Sequence, residues 1–204
     1  MDRNTEQKNM IVVKWLPFLL YAVAASLANS VLNLLPLIPS ALTTWISRGI
    51  MAVTAVAMIQ LTSANARYQK AGIMRAVMLG ISLLTALFNA FSILAVGSSV
   101  LSIIAAYQEY TAHSELIKQK DPKLSSHWQS LFAWSIAASL LIAFASVTVT
   151  VITALLGMNA TRISTIVIGL LSIPQLVIDV IYLLYIKKMI GYFRQEEIDR
   201  STEV

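Results

Sequence analysis

The chain has 204 residues, of which 57% are hydrophobic and 12% are charged, and its formal net charge is +5. A soluble domain usually carries about 25% charged residues, so the composition excludes an ordinary soluble fold. The chain contains no cysteine, which excludes disulfide bonds, thiolate metal sites and cysteine nucleophiles. Because little polar sequence is left over, we expect one compact domain.

Four stretches are too long and too apolar for the core of a soluble protein: residues 11–38, 46–61, 76–106 and 131–186. A helix that spans a bilayer needs about 20 mostly apolar residues. The sequence therefore predicts an all-α, polytopic membrane protein, because a membrane barrel would show short alternating segments instead. The first stretch is too long for the apolar core of a secretory signal, so we expect an uncleaved first span.

Residues 76–106 decide how many spans there are. As a single helix they would be about 46 Å long, which exceeds a hydrocarbon core of about 30 Å. A turn at residues 89–92 divides them into two spans. The predicted domain then covers residues 11–187 between cytoplasmic segments 1–10 and 188–204, and its six spans form three hairpins with short loops. The predicted spans are 11–35, 46–65, 70–90, 93–114, 128–156 and 163–187.

Local signals agree with these boundaries. Pro36 and Pro39 break the chain after the first span. Ser126, followed three residues later by Gln129, resembles a capping box that opens the fifth helix. Residues 157–159 (Gly-Met-Asn) are typical of an outer turn. Each hairpin is therefore expected to be bounded by residues that end or begin helices.

Basic residues predict the orientation. With six spans, thirteen of the 15 Lys and Arg residues lie on one side, and only Arg48 and Arg162 lie on the other. With five spans this bias disappears. Because the cytoplasmic side collects basic residues, both termini are predicted to be cytoplasmic, and we expect a bacterial plasma membrane. The charges flank apolar runs and do not form a groove, so nucleic acid is not an expected partner, whereas the lipid bilayer is.

The outward-going spans share a short pattern. Ala-Ala-Ser-Leu occurs at residues 24–27 and 137–140 at the same offset from a preceding tryptophan, and Gly-Ile-Ser-Leu occurs at residues 80–83. This spacing suggests a tandem repeat of helical hairpins. The alternative is chance, because Ala, Ser and Leu are common in membrane spans.

Small residues recur every four positions in the first span. Ala22, Ser26 and Ser30 form one stripe, and Ala24 and Ala28 form another. Small residues let helix backbones approach closely in a membrane. The stripes therefore predict a helix-docking face, either for packing within the chain or for a partner subunit or a second copy.

Asp179 is the carboxylate that lies well inside a predicted span. Gln175 and Tyr182 fall on the same helix face, one turn to either side. An acid at membrane depth needs a partner, a proton or water. These three residues, with Asn29 and Asn33 one turn apart on the first helix, are the candidates for a solute or ion path. The alternative is a structural acid that is hydrogen-bonded to a neighbouring helix.

Glu109 and His113 lie one helical turn apart near the inner loop. The pair lacks the His-Glu-x-x-His spacing of zinc hydrolases, and we expect a solvated helix end. The sequence therefore predicts no enzyme, no metal and no cofactor.

Two functions remain open. The first is the handling of a small solute or ion, by a compact transporter or by the membrane-embedded binding subunit of a larger one. In length and span count the chain is similar to the substrate-binding subunits of energy-coupling-factor vitamin transporters, and Ala24-x-x-x-Ala28 resembles their docking motif. The second is a non-transporting assembly, immunity or regulatory subunit that binds another membrane protein.

Overall fold

The computed structural model describes residues 3–33, 39–88, 94–155 and 172–202. These ranges contain six α-helices, one short 3₁₀ turn at Leu61–Ser63 and no strand, which confirms the predicted all-α fold. The predicted turns at 89–92 and 157–159 lie outside the described residues, as does Pro36. The helices are α1 (Arg3–Asn33), α2 (Ser40–Gln60), α3 (Ala66–Leu87), α4 (Leu94–Ile117), α5 (Pro122–Leu155) and α6 (Ile173–Thr202).

The helices form a ring in chain order. Each helix packs against the next one along the chain, and α6 returns to pack against α1. Short connections after α2 and α4 favour this arrangement, because a helix joined by a short loop lies antiparallel to its neighbour. The buried core gathers toward one end of the ring, where Leu16, Tyr68, Trp128, Ile186 and Phe193 pack together.

Within the described ranges, four helical segments are long and apolar enough to cross a membrane: Gln7–Asn33, Ser40–Ser63, Ala66–Leu87 and Pro122–Thr153. Large apolar side chains cover the outside of the bundle, including Phe144 at 73% exposure. The described parts of α4 and α6 are not among the four, because polar and charged residues enter the second half of each. The protein is thus a helical bundle with membrane-type surfaces.

The start of α5 corrects one sequence prediction. The helix begins at Pro122, four residues before the predicted capping residue Ser126. The carboxylate of Asp121 accepts a hydrogen bond of 2.9 Å from the backbone N–H of Leu124, and proline at the first helical position loses no needed hydrogen bond. The Ser126 hydroxyl instead bonds back to the carbonyl of Lys123. The predicted capping box at Ser126 is therefore wrong, because Asp121 already caps the helix.

Helices α2 and α3 approach most tightly at Gly72. A Cβ atom added to Gly72 would lie 2.8 Å from Cγ1 of Ile59 and 2.9 Å from the carbonyl oxygen of Ala55. Only glycine leaves room for that backbone contact. This close approach holds α3, and the functional side chains it carries, against α2.

Candidate functional site

A cavity of about 320 Å³ lies inside the ring. Its volume falls in the range of small-molecule sites, roughly 300–1,000 Å³. Each of the six helices contributes at least one polar side chain to its wall. These side chains are Ser26 from α1, Ser47 and Thr54 from α2, Arg75 from α3, Glu109 and Tyr110 from α4, Ser135 from α5, and Gln175, Asp179 and Tyr182 from α6. The cavity therefore brings polar groups from all six helices together with apolar side chains.

Three of the predicted path residues line this cavity. Asp179, Gln175 and Tyr182 lie on one face of α6 and contribute to the wall together. The Gln175 side-chain amide donates a hydrogen bond of 3.1 Å to Oδ1 of Asp179. The amide therefore holds the carboxylate from one turn earlier on the same helix.

The two predicted asparagines lie elsewhere. Asn29 is buried, and its amide donates to the carbonyl of Thr43 at 3.1 Å and to the hydroxyl of Ser47 at 2.8 Å. These bonds join α1 to α2, and only Ser47 reaches the cavity wall. Asn33 is exposed at the end of α1. Asn29 thus contacts the cavity wall only through its hydrogen bond to Ser47, and Asn33 does not line the cavity.

The small residues of α1 divide into two faces. Ala22 is buried and lines the cavity together with Ser26, which is itself largely exposed. Ser30 is half-buried, and its hydroxyl bonds to the backbone carbonyl of Ser26. Ala24 and Ala28 are exposed and do not line the cavity. The first stripe therefore reaches the cavity at Ala22 and Ser26, whereas the second does not.

Glu109 is the central group that the sequence interpretation missed. Its side chain is only 3% exposed and forms an ion pair with Arg75. Its other carboxylate oxygen accepts a hydrogen bond from the hydroxyl of Tyr182. The expected solvated helix end is wrong, because Arg75 and Tyr182 reach Glu109 from helices 34 and 73 residues away along the chain.

His113 extends this contact network inward. The ring is fully buried, with Nε2 at 2.9 Å from the hydroxyl of Tyr182 and Nδ1 at 2.7 Å from the hydroxyl of Tyr68. Because Tyr182 donates its hydrogen to Glu109, its oxygen accepts from Nε2–H, and Nδ1 then accepts from Tyr68. In this series of hydrogen bonds from Tyr68 through His113 and Tyr182 to Glu109, each donor therefore points toward the carboxylate.

Aromatic rings hold the histidine in place. The ring of Trp128 lies 4.5 Å from that of His113, and Tyr182 contacts both rings edge-on. Tyr110 packs against Trp128 and Tyr182 on the cavity side. The one sequence signal for this cluster was the four-residue spacing of Glu109 and His113, which places them on the same face.

The charges around the cavity do not balance. Arg75 and Glu109 neutralise each other, whereas Asp179 receives a hydrogen bond only from the Gln175 amide among the described residues. Within the same ranges, Nε of Arg75 and Oε1 of Gln175 are buried without a hydrogen-bond partner. No set of three His, Asp or Glu side chains in this part of the chain could hold a metal ion. Among the described residues, the wall thus presents one carboxylate, that of Asp179, without a counter-charge.

Comparison of the chain with protein-family models, with curated proteins and with solved structures finds no match. The resemblance to vitamin-transporter subunits therefore stays a prediction from length, span count and spacing.

Proposed function

We propose that this chain is an integral membrane protein that binds a small solute or ion in its central cavity. It would act as a compact transporter or as the membrane-embedded binding subunit of a larger one. The observation that carries the proposal is the cavity itself, with Arg75, Glu109 and Asp179 in its wall. A charged group at the centre of a span costs about 2.5–3.5 kcal/mol on insertion scales. Such groups are rare in membrane helices and mark solute pathways.

We further propose six membrane crossings with both termini in the cytoplasm, in a bacterial plasma membrane. Four helices have the length and composition of spans, and α4 and α6 complete the same ring. Arg75 lines the cavity, and without it the bias is twelve basic residues against two. Reporter fusions at residues 118–123 and at the C-terminus should both read cytoplasmic. Opposite readings would refute this topology.

The alternative is an assembly, immunity or regulatory subunit. The exposure of Ala24 and Ala28 favours it, because small residues on an outer helix face let another helix approach closely. A partner subunit or a second copy would dock there. The two functions are compatible if the chain is the binding subunit of a larger transporter.

Solute retention tests the proposal. Protein purified in mild detergent is incubated with a cell metabolite extract and washed, and the retained small molecules are identified by mass spectrometry. Ser26→Phe should place a phenyl ring in the cavity, because Ser26 lines the cavity wall. Ser26 is largely exposed, so the larger side chain should not disturb the packing of the helices. Ala28→Phe is the matched control, since it adds the same ring to the outer face of the same helix.

We expect a solute that wild type and Ala28→Phe retain and that Ser26→Phe loses. The partner function predicts a different result, in which Ala28→Phe releases a copurifying membrane protein. Equal retention by wild type and Ser26→Phe, or no retained solute in any sample, would refute solute binding in the cavity.

A further inference from the structure

We infer that the cavity selects small organic cations and places their positive charge beside Asp179. This inference rests on the proposed function and narrows it to a chemical class of ligand. It depends on three features of the wall: the unbalanced charge, the occupied acceptors of Glu109, and the apolar surface that surrounds both.

The unbalanced charge lies on α6. Asp179 receives one hydrogen bond from Gln175, and the other carboxylate in the wall already has Arg75 as its counter-charge. A carboxylate accepts hydrogen bonds from an ammonium group and neutralises its charge.

Glu109 is not available to the same ligand. Both of its carboxylate oxygens are occupied, one by Arg75 and the other by Tyr182. His113 and Tyr68 hold Tyr182 in that orientation through hydrogen bonds of 2.9 and 2.7 Å. Glu109 therefore neutralises the charge of Arg75 and holds its guanidinium group in place. Asp179 is left to provide the net negative charge of the site.

Arg75 does not turn the cavity into an anion site. Its charge is paired with Glu109. The net charge of Arg75, Glu109 and Asp179 together is therefore negative.

The rest of the wall favours an organic ion over a bare metal cation. Val23, Ile50, Met51 and Ala106 line much of the cavity, together with the rings of Tyr110 and Tyr182. A volume of about 320 Å³ is far larger than a dehydrated metal ion requires. Apolar groups stabilise a carbon skeleton, and aromatic rings attract organic cations.

Because the chain contains no cysteine, an introduced thiol is the only one that can react in a test of charge selectivity. Ser135→Cys puts a single, nearly isosteric thiol in the cavity wall, and Ser26→Cys provides a second position. Purified protein is treated with the cationic reagent 2-(trimethylammonium)ethyl methanethiosulfonate or with the anionic sulfonatoethyl analogue. The ratio of the two rates is divided by the same ratio measured on free 2-mercaptoethanol.

We expect the normalised ratio to favour the cation by roughly tenfold or more, because one uncompensated charge acts across a low-dielectric cavity. Asp179→Asn should bring the ratio close to one, whereas Glu115→Gln, which removes a carboxylate outside the cavity, should leave it unchanged.

Labelling with a ratio near one or below, or a ratio that Asp179→Asn does not change, would overturn cation selectivity while leaving solute binding intact. Failure of both thiols to react with either reagent, in protein that reacts after denaturation, would instead show that the cavity is closed to water. That result would refute the proposed function together with this inference.

Discussion

The ion pair of Arg75 and Glu109 joins α3 to α4, and Tyr182 ties both to α6. A buried pair of charges is worth little in itself, but removing one partner leaves the other uncompensated at a cost of about 3–5 kcal/mol. At the scale of single residues, the account therefore depends on which side chains are paired and which are not.

A double substitution tests this pairing. Arg75→Gln and Glu109→Gln should each lower the stability of the detergent-solubilised protein by about 3 kcal/mol, because each leaves one buried charge alone. The double variant should be more stable than either single variant, since two neutral amides replace the pair. Thermal unfolding compares the stability of wild type, the two single variants and the double variant. A loss of stability in the double variant equal to the sum of the two single losses would contradict the pairing.

The two histidines provide a second test at this scale. His113→Phe keeps the ring beside Trp128 but removes the acceptor of Tyr68, and an unsatisfied buried hydroxyl costs about 1–3 kcal/mol. His127→Phe is the matched control, because His127 is exposed and stacks on Tyr185. We expect the control to stay within about 0.5 kcal/mol of wild type by thermal unfolding. Equal effects of the two changes would show that the buried hydrogen bonds do not stabilise the fold.

At the scale of helices, two glycines on α3 make opposite predictions. Gly72→Ala should destabilise the protein by about 1–3 kcal/mol, because the new methyl group meets the backbone of α2. Gly80→Ala should be neutral or stabilising by up to about 1 kcal/mol, since nothing lies within 4 Å of a Cβ atom there and alanine favours helix. Thermal unfolding of both variants checks the α2–α3 contact. A harmless Gly72→Ala would refute it.

The contact between the start of α5 and the side chains of α6 predicts that the stability of the fold depends on pH. The Lys188 ammonium, the backbone N–H of Leu124 and the Tyr192 hydroxyl hold the pKa of Asp121 well below its usual range. Because the pKa is lower in the folded than in the unfolded protein, this stabilisation is complete above the ordinary carboxyl pKa of about 4. It is lost as the pH falls below that value.

Asp121→Asn keeps a good helix cap but removes the charge. Its unfolding temperature should therefore fall less than that of wild type between about pH 5 and pH 3. Lys188→Met should flatten the profile in the same way, whereas Lys187→Met, a change at the exposed neighbouring position, should not. Parallel profiles for wild type and Asp121→Asn would contradict the role of Asp121.

Much of the helical architecture was accessible from sequence, because apolar runs, breaks at Pro39 and the length limit of a membrane span are local properties. The placement of Asp179, Gln175 and Tyr182 on one face likewise follows from helical spacing. The site itself was not accessible in full. Arg75 was counted with the cytoplasmic basic residues, and Glu109 was expected to be solvated, because their partners come from distant parts of the chain. The cap at Asp121 is a local feature, since an aspartate directly before Pro122 is a pattern typical of a helix start.

At the scale of the whole molecule, closure of the ring by α6 against α1 is what creates the cavity. Packing of each helix on its chain neighbour would by itself leave an open bundle with Asp179 facing lipid or water. Asp179 on α6 then lines the same cavity as Ser47 and Thr54 on α2. The proposed function therefore requires that Asp179 serve the cavity more than the stability of the bundle.

Parallel measurement of folding and solute retention in Asp179→Asn tests this claim most directly. The substitution keeps the size and the hydrogen-bonding capacity of the side chain while removing its charge. We predict that the variant inserts and unfolds within a few degrees of wild type, because a neutral amide is cheaper to bury than a charge, and that it loses retention of the solute that wild type binds. A variant that fails to fold, or one that folds and retains the solute as wild type does, would contradict the account.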